Sequence, residues 1–149
     1  MDGEIRVSIA ADSDMLPARA EGRALADRLG FSRTDATLIA TAISEIARNI
    51  LLHAGRGEIV LTPVHEDDRS GVIVVAQDRG PGIRDVNAAL EGGYSGVNGG
   101  FGLGLPGARR LMDEFDIVSQ LGEGTTVRMS KWRTRDKLER LGKRGRDGE

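Results

Sequence analysis

A run of five apolar residues, Val72-Ile-Val-Val-Ala76, leads through Gln77 to a carboxylate, Asp78, and then into a turn, Arg79-Gly-Pro-Gly82. An unbroken apolar run of this length, closed by turn residues, reads as a buried strand. A carboxylate at a strand end beside bare backbone suits a flat ligand that carries amino groups. The acid accepts a hydrogen bond, and the missing side chains let the ligand approach. A surface turn after a core strand would use the same residues, so this segment alone leaves both readings open.

The chain has 149 residues, enough for one domain with a real core. Aromatic residues are scarce, so that core must be built from Ile, Leu, Val and Ala. A net charge of -2 gives no general case for nucleic acid, and the absence of cysteine excludes disulfides and thiolate metal sites. No apolar run approaches membrane-spanning length and no signal-peptide core opens the chain, so a cytoplasmic protein with no membrane partner is expected. The 21 glycines concentrate in the second half, which suggests functional loops.

Alternation over residues 4–10, with Ile5, Val7 and Ile9 on one face, predicts an edge strand. Asp12 or Ser13 then caps a helix to about Leu29, with Leu16, Ala20, Ala24 and Leu25 inward. Ser32 or Thr34 starts a second helix over about residues 35–53, carrying Leu38, Ile39, Ala42, Ile43, Ile46, Ala47, Ile50 and Leu51 as its apolar set. Strands over 59–64 and 72–77 form a hairpin, a short helix covers about 85–90, and a glycine run fills 92–100. A helix from the Gly102 region to about Glu114 and two strands, 115–120 and 125–132, complete the domain. From Arg133 to the end a charged segment reads as solvated tail.

Glu45 and Asn49 lie four apart on the second helix and share a face, near the line of Leu38 and Leu52. The amide oxygen can bind a hard cation such as Mg²⁺, and the carboxylate can deprotonate a hydroxyl nucleophile. A polar pair at a helix boundary is the plainer reading of these two residues alone. Gly102-Leu-Gly-Leu-Pro-Gly107 fits G-x-G-x-x-G. The dinucleotide fingerprint, however, should follow a strand in an early βαβ unit, whereas this motif follows a glycine loop late in the chain. Backbone N–H groups exposed just before a helix start still favour phosphate. His53 reads as a helix-end histidine, Trp132 as a core-edge residue, and Tyr94 as a weak candidate for ligand contact.

Taken in order, these segments resemble the GHKL ATP-binding fold of histidine kinases, gyrase-type ATPases and anti-sigma serine kinases, over about residues 5–132. Ser44-Glu-Ile-Ala-Arg-Asn49 is similar to the N box, Asp78-Arg-Gly-Pro-Gly82 to the first glycine box, and Gly102-Leu-Gly-Leu105 to the second. Gly124-Thr-Thr126 resembles the late threonine motif. The stretch 102–115 and the final Lys131-Trp132 resemble the RsbT branch of the small switch-protein kinases, with the RsbW and SpoIIAB anti-sigma factors as the alternative.

The resemblance implies an α+β, two-layer sandwich: a mixed, mostly antiparallel sheet with helices on one face. It implies ATP and Mg²⁺ as cofactors and phosphoryl transfer to Ser or Thr of STAS-domain proteins, with a phosphatase or other output protein downstream. Glu45 would be the general base and Asn49 the Mg²⁺ ligand. Asp78 would accept from the adenine amino group, with Gly80, Gly82 and Ile83 around the base. Gly102, Leu103, Gly104 and Leu105 would bind the phosphates, and Thr126 would support the adenine end. Some relatives carry a basic residue before the second glycine box, but Gly99-Gly100-Phe101 offers none. Arg48, Arg79, Arg109 and Arg110 are the candidates to replace it.

Overall fold

The computed structural model describes residues 3–66, 68–91 and 104–133. Strand β1 (Ile5–Ile9) leads through a 3-10 turn, Asp12–Asp14, to helices α1 (Met15–Arg28) and α2 (Arg33–His53). Strands β2 (Gly57–Glu66) and β3 (Arg69–Asp78) follow, then helices α3 (Val86–Leu90) and α4 (Gly104–Leu111), and finally β4 (Glu114–Gln120) and β5 (Gly124–Trp132). The sheet order is β1-β2-β3-β5-β4. All four pairings are antiparallel, so the expectation of a mixed sheet is corrected. Hairpins account for two of these pairings, and among the described residues no strand lies parallel to its neighbour.

Helix α2 is the centre of the core. Ile39, Ile43, Ile46 and Ile50 are fully buried on it, against Ile59, Leu61, Val74, Val127 and Met129 of the sheet. Burying each such side chain stabilises the fold by roughly 1.5–3 kcal/mol. The helix starts where Ser32 Oγ accepts from the Asp35 N–H at 3.0 Å, so of the two candidates Ser32 and Thr34 the first is the N-cap.

Helix α1 differs from its sequence reading. Its buried residues are Ala18, Gly22, Leu25 and Ala26, while Leu16 is 74% exposed and Ala20 and Ala24 face solvent. The cause is close helix contact: a side chain at Gly22 would collide with Ile43, so α1 turns its smallest residues toward α2. The expected cap is absent: neither Asp12 nor Ser13 bonds the start of α1, and Asp14 instead reaches back to accept from the Ala10 and Ala11 N–H groups, at 2.8 and 3.0 Å, which fixes the entry to the 3-10 turn.

Candidate nucleotide site

Glu45 is buried on α2, 5% exposed, yet it is a carboxylate. An isolated buried charge would be costly. Part of the compensation is visible: Glu45 Oε2 accepts from the Gly104 N–H at 3.1 Å. Gly104 is the first residue of α4 and has φ +68°, a conformation that favours glycine. This bond joins the N-box helix to the second glycine box across 59 residues of sequence. It places a base candidate at the amide end of a helix, where negative charge is favoured. Asn49, one turn further along α2, is half-buried. Leu105 is buried behind Gly104, whereas Gly102 and Leu103 lie outside the described residues, as do Tyr94 and the rest of the glycine run.

Asp78 ends β3 and is 8% exposed. Its Oδ1 accepts from the Gly80 N–H at 2.9 Å, which fixes the carboxylate, while Oδ2 takes no hydrogen bond from the described residues. The two turn glycines have a duty other than leaving room for a base. A side chain at Gly80 would meet Ala54 at the end of α2, and one at Gly82, where φ is +83°, would meet the Gln120 carbonyl. They let the turn pack against its own chain and so hold Asp78 in place. Ile83 is buried, and its N–H donates to Ser119 Oγ at 2.7 Å.

The register decides between the two threonines. Thr125 pairs with Asp78, and Thr126 pairs with Gln77. Because successive residues of a strand point to opposite faces, Thr125 shares the helix-covered face with Asp78, Val127 and Met129. Thr126, which the resemblance pointed to at the adenine end, belongs to the other face with Arg128. Thr125 Oγ1 is 2.8 Å from Ser119 Oγ, which also lies 3.2 Å from the Gly124 carbonyl. Sequence reading missed Thr125 and Ser119. The period-2 alternation through Val127 and Met129 carried the signal for Thr125, but no local pattern marked Ser119.

A cleft of about 580 Å³ lies at the strand ends, lined by Ala54, Arg56, Glu58, Gln77, Asp78 and Arg79 among others. It shares Asp78 with the site but includes neither Glu45 nor Gly104. Among the described residues no three His, Cys, Asp or Glu side chains cluster to hold a metal, and no helix is long and apolar enough to cross a membrane. The donor set suits Mg²⁺ all the same, because that ion usually takes only one or two protein groups and completes its shell with phosphates and water.

A buried strand-end carboxylate, a helix pairing Glu45 with Asn49, and a glycine-started helix whose first N–H donates to Glu45 define an ATP-binding domain of the histidine kinase type. The chain belongs to the histidine kinase-like ATPase domain family, which it matches over residues 9–131. Within it the chain is similar to the serine/threonine-protein kinase RsbT of Bacillus subtilis (strain 168), with 46% identity over 89% of this chain and 98% of that protein. It also resembles the serine-protein kinase RsbW of Bacillus cereus (strain ATCC 10987), at 33% identity over 85% of this chain and 88% of that one. Among solved structures, the RsbU and RsbW domains of Rv1364c from Mycobacterium tuberculosis superpose with a TM-score of 0.61 at 20% identity. The match covers 87% of this chain and 32% of that one, and it supports the fold alone.

Proposed function

We infer that this chain is an RsbT-type serine/threonine-protein kinase that transfers the terminal phosphoryl group of ATP to a Ser or Thr hydroxyl of a small STAS-domain protein in the cytoplasm. The observation that carries this reading is the Glu45–Gly104 hydrogen bond. It sets a carboxylate at the helix end where phosphate oxygens would be received, which is where a base for an incoming hydroxyl belongs.

Glu45 accepts the hydroxyl proton as the new oxygen–phosphorus bond forms and the bond to the ADP oxygen breaks. It has no need to ionise a free serine beforehand. Asn49 supplies an amide oxygen for Mg²⁺, and that ion, when bound, neutralises charge on the phosphates. Asp78, held by Gly80, offers Oδ2 to an amino group of the base. Thr125, tied to Ser119, is the hydroxyl on the Asp78 side. Gly102 and the residues after it and after Gly104 provide backbone for the phosphates, while the Gly104 N–H itself is held by Glu45. Catalysis of this kind is mostly positioning and charge neutralisation.

The test is transfer from radiolabelled ATP to a cognate STAS domain, with phosphosite mapping on the product. Glu45→Gln should cut transfer by about 10²–10⁴-fold while nucleotide still binds. Wild-type transfer in that variant sinks the base assignment. Co-purification with a sigma subunit would favour the anti-sigma alternative, a kinase that also binds sigma.

A further inference from the structure

We propose that Arg48 is the residue that meets the terminal phosphate, an inference that rests on the kinase reading above. Four arginines were candidates, and the fold separates them. Arg109 and Arg110 occupy the last turn of α4 and are exposed. At 1.5 Å per residue they stand about 8–9 Å along the helix from the Gly104 amide, at the end where their charge complements the dipole. Arg79 is exposed and lines the strand-end cleft with Arg56 and Glu58, away from the residues that join α2 to α4.

Arg48 lies on α2 between the two site residues, three after Glu45 and one before Asn49. Residues three apart on a helix are surface neighbours, about 5–6 Å between Cβ atoms, and an arginine side chain spans that gap easily. Arg48 is half-buried, yet among the described residues it makes no hydrogen bond or ion pair. The carboxylate beside it is engaged by Gly104 instead. A guanidinium drawn partly out of water with its donors uncommitted is suited to an anion arriving next to Glu45. Its planar fork matches two phosphate oxygens at once. During transfer Arg48 keeps its proton and donates to oxygens of the moving phosphoryl group, while the hydroxyl proton goes to Glu45.

Two variants separate charge from packing: Arg48→Met keeps the apolar stem, and Arg48→Lys keeps the charge. Arg48→Met should lower kcat for transfer by about 10²–10³-fold, with Arg48→Lys in between. A second readout needs no protein substrate: affinity for ADP against a non-hydrolysable ATP analogue. Arg48→Met should bind ADP within about twofold of wild type but lose roughly tenfold of its preference for the analogue, as expected for one charge-assisted contact to the terminal phosphate. The double variant Arg109→Ala, Arg110→Ala should keep that preference. Equal loss for both nucleotides, or wild-type discrimination in Arg48→Met, overturns the assignment. Should Arg48→Met melt early, the same comparison in Arg48→Lys decides it. If the wild type phosphorylates no STAS domain, the kinase reading fails, while nucleotide discrimination still decides Arg48.

Discussion

The β3–β5 ladder runs from Asp78–Thr125 at one end to Gly71–Trp132 at the other, and both ends bury polar groups. At the far end Lys131, Trp132, Ser130, Asp113 and Glu114 are tied to one another or to the end of α4, although the buried Nε of Arg133 beside them makes no hydrogen bond among the described residues. Lys131, 7% exposed, donates to the Leu111 carbonyl at 2.8 Å, capping the last turn of α4, and lies 3.7 Å from Asp113. The Trp132 N–H donates to Asp113 at 2.8 Å, and its indole N–H to Glu114 at 3.1 Å. Ser130 donates to the same Glu114 oxygen, and the Arg69 guanidinium stands 3.4 Å over the indole ring. At the near end Asp78 keeps an oxygen that the described residues do not use. Burial of charge therefore does not by itself mark a site. The Lys131-Trp132 pair, which in sequence looked like a family signature, is the anchor that holds α4 from its C-terminal end.

The largest expected effect tests the near end. Asp78→Asn should weaken adenine-nucleotide binding by roughly 10–100-fold, since a hydrogen bond to a charged partner is worth about 1.5–3 kcal/mol. Calorimetric titration measures it, and unchanged affinity would break the contrast between the two ends. Lys131→Met should do the opposite. It should cost about 1–3 kcal/mol of stability by leaving the Leu111 carbonyl unmatched, lowering Tm by several degrees, with nucleotide affinity in the folded fraction nearly kept. Next comes the threonine pair. Thr125→Val should reduce nucleotide affinity by about 5–10-fold for one lost neutral hydrogen bond, and Thr126→Val should not. The reverse order would mean the strand register is misread.

The smallest effect is in pH. Hydrogen bonds from Ser130 and then from Trp132 hold the Glu114 carboxyl below its usual range. A depressed carboxylate adds stability above its unfolded pKa, near 4.3, and loses it as pH falls through the lower folded value. Glu114→Gln should therefore melt slightly below wild type at neutral pH. The two should converge in thermal scans carried down through pH 4. A gap that widens in acid would contradict the assigned direction.

Much of the fold was legible locally. The apolar period of α2, its Ser32 cap and the alternating strands each state their own structure, because propensity and burial agree there. The inward face of α1 was not legible. Leu16 looked like core by hydrophobicity, and only the collision a side chain at Gly22 would have with Ile43 shows why small residues won. The glycines of the first box stood out in the sequence for backbone approach, and the structure adds that the chain's own Ala54 and Gln120 come close to them.

By itself, the sequence determined which chemistry this chain can hold. The types and spacing of Glu45, Asn49 and Asp78 and the glycine-led turn before α4 follow from residue identity and local periodicity. Tertiary structure alone decided which groups meet: Gly104 with Glu45, and Thr125 instead of Thr126 with Asp78. The physical reason is that such meetings depend on sheet register and helix approach, which are set by how the whole core closes.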